Sequence, residues 1–208
     1  MADQVTYRES VAEGIAREMR RDPSVVCLGE DIGAAEGVFK TTVGLFTEFG
    51  PKRVWDTPIS EQAILGLAMG AAMTGMRPVA EIMFSDFFAC CWDYLANEIP
   101  KVRYMAEGQV TVPLVVRTAN GGGLGFGAQH SQAVESWALT VPGLKIAASS
   151  NVAEVVGMMA AAIRSDGGGP LRWLETQSPQ PPGRHSYRLA RDWTYPKQIG
   201  RASCRERV

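Results

Sequence analysis

The chain has 208 residues, of which 46% are hydrophobic and 21% charged, with a formal net charge of −1. This length gives room for one substantial core, or for one domain and the beginning of another. A nearly neutral chain carries no electrostatic footprint for nucleic acid or for an anionic membrane surface, so neither is expected as a partner. No apolar run reaches the length of a membrane span.

The four cysteines show no paired spacing of the kind that binds a metal. Cys90 and Cys91 are adjacent within an apolar stretch, which is typical of buried thiols. Residues 1–21 form a charged amphipathic segment and do not resemble a secretory signal peptide. These features agree with a domain located in the cytoplasm.

Apolar residues at helical spacing predict a first helix over Tyr7–Arg21, and a short apolar run over 25–28 predicts a buried strand that ends at Gly29. The elements predicted further along are helix 60–76, strand 79–83, helix 87–105, strand 114–116, strand 144–148, helix 153–164 and strand 170–175. Strands that alternate with helices indicate an α/β domain with a mainly parallel sheet. In such a sheet, ligands bind at the carboxyl ends of the strands.

Residues 55–61, Trp-Asp-Thr-Pro-Ile-Ser-Glu, join a strand end to a helix. Pro58 keeps Thr57 extended, and Ser60 is predicted as the N-cap with Glu61 in the first helical turn. The helix that follows is apolar nearly all round, which predicts burial on more than one side. A carboxylate at the mouth of such a helix is either a site residue or a partner of the helix dipole, and residue chemistry alone leaves both open.

Four motifs follow one another in a characteristic order. They are Gly29-Glu30-Asp31-Ile32-Gly33, Asp56-Thr57-Pro58-Ile59-Ser60-Glu61 with its small-residue helix, the run Arg77 to Phe87 (RPVAEIMFSDF), and Ala128-Gln129-His130-Ser131-Gln132. In this order they resemble the beta subunit of thiamin-diphosphate-dependent 2-oxo acid dehydrogenases of the pyruvate or acetoin type. The resemblance implies the three-layer α/β fold of the transketolase-like pyrimidine-binding domain.

The resemblance also implies roles for four residues. Glu61 would bond the aminopyrimidine ring of the cofactor and favour its imino form, which a carboxyl group does best in a dry pocket. Ile59 would contribute packing or a backbone contact beside that ring. Phe87 would stack on the ring; without the resemblance, an ordinary core phenylalanine is the alternative. His130, one of two histidines, would orient the oxo acid and exchange a proton during acyl transfer to lipoamide; by itself a loop histidine is usually structural.

The diphosphate-binding half of a thiamin enzyme is not recognisable, because Asp166-Gly167-Gly168 precedes Pro170 without a following helix that contains asparagine. The resemblance therefore implies an alpha subunit that supplies this half and its Mg²⁺, in a heterotetramer of two alpha and two beta chains. It further implies a lipoyl acyltransferase core and a small 2-oxo acid as partners. Leu114 and Ala162 occupy positions where similar proteins offer backbone carbonyls to a potassium ion.

Two other classes of function remain open. A nicotinamide-binding oxidoreductase is disfavoured because the glycine run 121–127 lacks the G-x-G-x-x-G spacing and the acidic residue that should follow it. This run either passes close to the cofactor or a neighbouring subunit, or forms a mobile surface loop. A helical assembly module would use Gly66 and Gly70 for close helix contact. Within the enzyme class, pyruvate dehydrogenase comes first, and acetoin or branched-chain 2-oxo acid dehydrogenase are the alternatives.

The domain organisation is predicted in three parts. Residues 1–176 form the pyrimidine-binding domain. Residues 177–198, which begin with a Pro- and Gln-rich stretch, form a linker or divergent tail at the start of a missing C-terminal domain. Residues 199–208 resemble the translation of a sequencing adapter, and we interpret them as an artefact. The chain is therefore expected to be a fragment.

Overall fold

The computed structural model describes residues 5–120, 125–149, 151–165 and 172–177, with side chains omitted for 120 and 172–177. Within these residues one six-stranded sheet has the order β2-β1-β3-β4-β6-β5, and every pair of neighbours runs parallel. The strands are β1 Val25–Gly29, β2 Val54–Asp56, β3 Arg77–Phe84, β4 Val115–Asn120, β5 Lys145–Ser149 and β6 Arg172–Gln177. The predicted parallel α/β architecture is confirmed. The Asp166–Pro170 segment and the tail from 178 onward lie outside the described residues.

Six α-helices occur among the described residues. They are α1 Tyr7–Arg21, α2 Leu45–Phe49, α3 Glu61–Met73, α4 Ile99–Met105, α5 Glu135–Ala138 and α6 Val152–Arg164. The two short helices α2 and α5 were not predicted, since four or five residues give too few turns for a periodic pattern. None of the helices in this part of the chain is long and apolar enough to cross a membrane.

The first helix begins and ends where the sequence predicted. The Thr6 backbone N–H donates to the Glu9 carboxylate at 2.7 Å, and the Glu9 N–H donates back to the Thr6 hydroxyl at 3.4 Å, which forms a capping box. Val11, Ile15 and Met19 are buried on one face, as their helical spacing predicted. This face of α1 packs in the layer that covers one side of the sheet.

Helix α6 completes that layer by packing against α1. Gly14 permits the close approach, since a Cβ atom at this position would lie 3.1 Å from the Met159 Cβ atom. Glu18 is buried between the two helices and accepts hydrogen bonds from Arg164 at 2.7 Å and from Arg21 at 2.8 Å. The contact between the helices is therefore apolar at its centre and ionic at one end.

Alternate residues of the strands point to two separate hydrophobic clusters. Val79 and Val115 pack with α1 and α6, whereas their neighbours Ala80 and Val116 pack with α3, the segment 85–105 and α5. Successive side chains of a strand lie on opposite faces of a sheet, so the two clusters occupy the two sides of this one. The result is the predicted arrangement of three layers.

Helix α3 differs from its prediction in one respect. Ile64, Leu65 and Ala68 are buried against the sheet, but Leu67 and Met73 on the opposite side are 52% and 45% exposed. Helix α3 does contact the sheet on one side and the segment 85–105 on another, as the expected burial on more than one side requires, but its outermost face is exposed. The apolar residues of the outer face have no cover within the described part of the chain.

The segment predicted as one α-helix over 87–105 has three parts. A 3₁₀ helix over Ser85–Cys91 is followed by a π-helical turn over Tyr94–Glu98 and then by α4. Pro100 lies in the first turn of α4 and has no N–H to donate to the preceding turn, so a regular α-helix cannot run through this position. Periodicity identified the helical segment but not its change of hydrogen-bonding pattern.

The carboxyl ends of the central strands meet at one edge of the sheet. The pairing of β3 with β4 shifts in register between Ile82 and Phe84. Such an irregularity turns the side chains that follow it, and it often occurs beside functional sites. Phe84, Ser85 and Asp86 leave the sheet at this edge, next to the loops that follow β1 and β2.

Candidate cofactor site

The loop that carries residues 55–61 is tied to the end of β1. The Thr57 N–H donates to the Gly29 carbonyl oxygen at 2.9 Å, and the Gly33 N–H donates to the Asp56 carboxylate at 2.6 Å. A side chain at Gly33 would collide with that carboxylate, since an added Cβ would lie 2.6 Å from Asp56 Oδ2. These contacts bring the start of α3 close to the residue that follows β1, Glu30.

Glu61 is the first residue of α3 and is half-buried. Ser60 occupies the N-cap position as predicted, but its side chain makes no capping hydrogen bond. The Glu61 carboxylate influences two buried groups: burial raises the pKa of Glu30 and of the Cys91 thiol, and the negative charge of Glu61 raises both further. Glu61 is therefore near enough to Glu30 and Cys91 for its charge to act on both, in keeping with the packing of α3 against the 3₁₀ helix that contains Cys91.

Ile59, the predicted neighbour of Glu61 at the cofactor ring, is 84% exposed. It lies in the loop between β2 and α3, where Pro58 and Ser60 are exposed as well. The packing contact expected of Ile59 would have to be made with a ligand or with another chain, and this role stays a prediction.

An aromatic cluster surrounds His130. The imidazole ring lies edge-to-face against Phe84, with centroids 4.9 Å apart, and against Phe87, with centroids 5.1 Å apart. Phe84 also contacts Phe39 and Phe126 at centroid distances of 5.2 and 5.9 Å. Of the predicted site residues, the structure thus brings Phe87 and His130 into direct contact, although 43 positions separate them in the sequence (130 − 87).

The loop that carries His130 is attached to the end of β3 by two hydrogen bonds. The Gln132 N–H donates to Asp86 Oδ1 at 3.0 Å, and the Ser85 hydroxyl donates to the Gln132 carbonyl oxygen at 3.2 Å. Ser85 and Asp86 are both buried. Within the loop, the His130 N–H donates to the Gly127 carbonyl oxygen at 3.3 Å.

A buried ion pair lies beneath the site. Glu81 of β3 and Arg117 of β4 are register partners on the same face of the sheet, and their charged groups are in contact. Gly29 of β1 occupies the neighbouring position, where an added Cβ would lie 2.9 Å from the Glu81 Cβ atom. The charge of Glu81 contributes to the raised pKa of Glu30, after burial, Glu61 and Asp31.

The two residues predicted at a potassium ion lie in different parts of the core. Leu114 packs in the cluster on the α3 side of the sheet, and Ala162 packs in the cluster on the α1 side. Among the residues that the structure describes, no three His, Cys, Asp or Glu side chains are grouped so as to hold a metal ion. The backbone-carbonyl site stays a prediction.

Sequence reasoning included several of these residues in motifs without giving them a role. They are Glu30, Phe84, Ser85, Asp86 and Gln132. The available signal was position: two polar residues directly after the apolar run of β3 fall at the carboxyl end of a strand, where ligands bind in parallel sheets. Their link to Gln132 depends on a tertiary contact across 46 residues, which no local pattern encodes.

The residues of this edge fit one half of a cofactor that contains a flat aromatic ring. Phe87 offers a half-buried ring surface, and helix α3 packs against the 3₁₀ helix that carries it. Glu61 supplies one carboxyl group that can hydrogen-bond a ring nitrogen. A mainly apolar site with a few convergent polar groups is typical of small-molecule binding.

The fold and this site together define a three-layer α/β domain that carries a carboxylate and an aromatic cluster at the carboxyl edge of a parallel sheet. The family described as "Transketolase, pyrimidine binding domain" matches residues 3–178. The chain therefore belongs to this family, and the fold expected from its motifs is confirmed.

Curated relatives agree with the resemblance found in the motifs. The chain is 40% identical over 176 residues to the pyruvate dehydrogenase E1 component subunit beta-1 of Arabidopsis thaliana, covering 85% of this chain and 48% of the relative. It is 41% identical over 174 residues to the corresponding beta subunit of Rickettsia conorii, covering 84% and 53%. It is also 42% identical over 162 residues to the 2-oxoisovalerate dehydrogenase subunit beta of Bacillus subtilis, covering 78% and 50%. The chain spans about half the length of these relatives.

A solved structure described as "Split gene transketolase, inactive beta4 tetramer" resembles the fold with a TM-score of 0.66. The match covers 88% of this chain and 54% of the other, at 20% sequence identity. At this identity the likeness concerns the fold alone.

Proposed function

We propose that this chain is the pyrimidine-binding part of the beta subunit of a 2-oxo acid dehydrogenase, with pyruvate as the first candidate substrate. The observation that carries the proposal is the placement of Glu61 at the start of α3, which packs on the 3₁₀ helix that carries Phe87, with His130 against the Phe87 ring. The identity to beta subunits over most of this chain supports the same assignment.

The chemistry proposed for these residues is a division of tasks around one ring. When bound, thiamin diphosphate supplies a nucleophilic carbon and an electron sink for decarboxylation. Phe87 orients the pyrimidine ring by stacking, which contributes about 0.5–1.5 kcal/mol beyond the buried area. Glu61 holds a proton at the ring nitrogen, and the low local dielectric of a closed site strengthens that hydrogen bond. Ile59 contributes packing or a backbone contact beside the ring.

His130 acts on the substrate side in this proposal. Its imidazole orients the oxo acid and exchanges a proton while the acyl group passes to lipoamide, a task for which an imidazole can both donate and accept a proton. The edge-to-face contacts with Phe84 and Phe87 hold the His130 ring in one orientation beside the proposed cofactor position.

The proposed partner is an alpha subunit that binds the diphosphate and Mg²⁺ and closes the site from the open side. Ile59, Leu67 and Met73 are exposed apolar residues on and beside α3, and apolar patches of this kind are typical of subunit contacts. The relatives' names call them beta subunits, which supports the pairing. We propose two alpha and two beta chains, a lipoyl acyltransferase as acyl acceptor, a potassium ion at the carbonyls of Leu114 and Ala162, and the cytoplasm as compartment.

A branched-chain 2-oxo acid is the second candidate substrate, because the Bacillus subtilis relative that acts on 2-oxoisovalerate is as similar as the pyruvate dehydrogenases. Acetoin is a third candidate and rests on the motifs alone. The substrate pocket would draw on both subunits, so the choice among these requires the assembled enzyme.

The test of the proposal is reconstitution. We expect the chain by itself to bind thiamin diphosphate feebly in calorimetric titration and to have no decarboxylase activity. A full-length beta chain with its alpha subunit and Mg²⁺ should bind the cofactor and turn over one of the three candidate substrates, pyruvate, 2-oxoisovalerate or acetoin. Turnover by the chain alone would contradict the division of the site between subunits. Binding of NAD⁺ without thiamin diphosphate binding would favour the nicotinamide class instead.

A further inference from the structure

We propose that Asp86, assisted by Ser85, is a positioning residue that fixes the loop of His130 against the aromatic cluster. Asp86 accepts the Gln132 N–H at 3.0 Å, and the Ser85 hydroxyl donates to the Gln132 carbonyl oxygen at 3.2 Å. Two successive side chains at the end of β3 thus bind both backbone groups of one loop residue. The functional consequence rests on the role proposed above for His130.

The burial of the two anchoring side chains makes their bonds strong. Asp86 is 5% exposed and Ser85 is fully buried. A carboxylate that accepts a backbone N–H makes a charge-assisted hydrogen bond, which is shorter and stronger than one between neutral groups. Water competes poorly for a bond in such a position. The anchor therefore holds Gln132 at a fixed place relative to β3.

The loop that is anchored contains backbone conformations that an unattached chain would not keep. Gly125 and Gly127 have φ angles of 69° and 85°, and glycine pays a large entropic cost when it is ordered. Hydrogen bonds from the Phe126 N–H to the Ser131 hydroxyl, at 2.9 Å, and from the His130 N–H to the Gly127 carbonyl shape the loop internally. The bonds to Asp86 and Ser85 set where the shaped loop sits on the sheet edge.

The same stretch of chain supplies both the anchor and the rings that His130 contacts. Phe84 and Phe87 flank Ser85 and Asp86 in sequence, and both rings lie edge-to-face against His130. The stretch from the end of β3 into the 3₁₀ helix thus binds the loop through Gln132 and contacts the imidazole through two rings. Loss of the anchor would let the imidazole move away from these rings, and misplacement by about 1 Å can slow catalysis by about a hundredfold.

Two substitutions of Asp86 differ in whether they keep the oxygen that accepts the Gln132 N–H. Asp86 Oδ2 is buried and has no hydrogen-bond partner among the described residues. Asp86→Asn keeps an oxygen that can accept the Gln132 N–H, whereas Asp86→Ala removes the acceptor. Asp93→Ala is the matched control, because Asp93 is exposed and accepts a hydrogen bond from Asn97 at 2.7 Å, on the helical segment and away from the loop.

The experiment uses the full-length beta chain assembled with its alpha subunit. It measures two half-reactions, the reduction of lipoamide and decarboxylation with an artificial electron acceptor. Asp86→Ala should slow lipoamide reduction by roughly ten- to a hundredfold, and Asp86→Asn should recover most of that loss. Asp93→Ala should change neither half-reaction. In the double variant Asp86→Ala/His130→Ala, lipoamide reduction should be no slower than in His130→Ala alone, since both changes remove one function. Additive losses, or equal losses in Asp86→Ala and Asp93→Ala, would overturn the proposal.

A spectroscopic measurement on the 208-residue chain tests the anchor without an activity assay. Nuclear Overhauser effects between the His130 ring and the Phe84 and Phe87 rings should be present in the parent chain and weakened in Asp86→Ala, with the Gln132 amide losing its protection from hydrogen exchange. Unchanged ring contacts in a folded Asp86→Ala chain would refute the positioning role. If Asp86→Ala does not fold, Ser85→Ala, which removes the hydroxyl that donates to the Gln132 carbonyl oxygen, should weaken the same ring contacts, whereas Asp86→Asn should preserve them. If the anchor is intact and His130→Ala loses no activity, the proposed function of His130 is refuted instead.

Discussion

Glu81 and Arg117 form an ion pair across neighbouring parallel strands, and both side chains are almost completely buried. They are register partners two residues further along the strands than Val79 and Val115, on the face that carries α1 and α6. A carboxylate in this apolar layer would be costly without its cation. The position of Gly29 beside Glu81 provides the space for this pair directly under the loop that carries Glu30.

The ion pair leads to a prediction about stability. Arg117→Met should lower the free energy of unfolding by about 3–5 kcal/mol, because it leaves the Glu81 carboxylate buried without its partner. Glu81→Leu combined with Arg117→Met should cost less than Arg117→Met alone, since neither charge remains. Urea unfolding followed by circular dichroism measures all three. A double variant that is less stable than the single one would contradict this account of the pair.

Replacement of Glu61 tests the proposed chemistry. In the full-length beta chain with its alpha subunit, Glu61→Gln should reduce turnover by about 10²–10⁴-fold, because the amide keeps the shape of the side chain but cannot exchange its proton. Assembly, measured by gel filtration, should be unaffected. Glu98→Gln, at an exposed glutamate, is the control. Activity within about threefold of the parent would mean that Glu61 only complements the dipole of α3.

Replacement of His130 separates two chemical steps. His130→Ala should slow reduction of lipoamide more than decarboxylation with an artificial electron acceptor, because decarboxylation depends on the cofactor as electron sink. Each lost decade of rate corresponds to about 1.4 kcal/mol of barrier. His185→Ala serves as control, since His185 is the other histidine of the chain. Equal losses in both steps would leave His130 as a general substrate-orienting group, and no loss in either would make it structural.

The pH dependence of stability should reflect Glu18. The hydrogen bond from Arg164 holds the pKa of Glu18 below its usual value of 4.5, with Arg21 adding to the effect against the opposing influence of burial. A lowered carboxyl pKa stabilises the folded chain above the unfolded value, and this stabilisation is lost as the pH falls through the folded value. Glu18→Gln should therefore destabilise the chain by about 1–2 kcal/mol at pH 7, because both arginines stay partly hydrated.

The measurement for Glu18 is urea unfolding of parent and variant between pH 7 and pH 3. The difference in unfolding free energy should be constant down to about pH 4.5 and then shrink. Glu98→Gln should show no such trend. A difference that does not change with pH would assign the effect of Glu18→Gln to packing and not to charge.

The elements that sequence reasoning located best are those with a clear period or a clear cap. Helix α1 matched at both ends, because Thr6 and Glu9 form a capping box and Val11, Ile15 and Met19 recur at helical spacing. The short helices α2 and α5 carry too few residues for such a signal. The break of the segment before α4 depends on Pro100 and on hydrogen bonds that shift by one residue, which residue types alone indicate poorly.

The motifs named candidate site residues but did not predict how those residues are arranged in space. The motifs named Glu61, Phe87 and His130, and the structure places Phe87 against His130. The links that create this contact run from Ser85 and Asp86 to Gln132, and they join segments 46 residues apart or more. Such contacts follow from the packing of β3 against the loop after β4, so only the folded chain reveals them.

The uncovered outer face of α3 affects how long this chain persists in a cell. Leu67 and Met73 would remain in water for as long as a newly made copy waits for whatever covers them, together with Ile59 in the preceding loop. Exposed apolar surface attracts chaperones and proteases and promotes aggregation. If the proposed alpha subunit covers this face, the amount of the chain that survives should follow the supply of that subunit, because copies without it would be degraded.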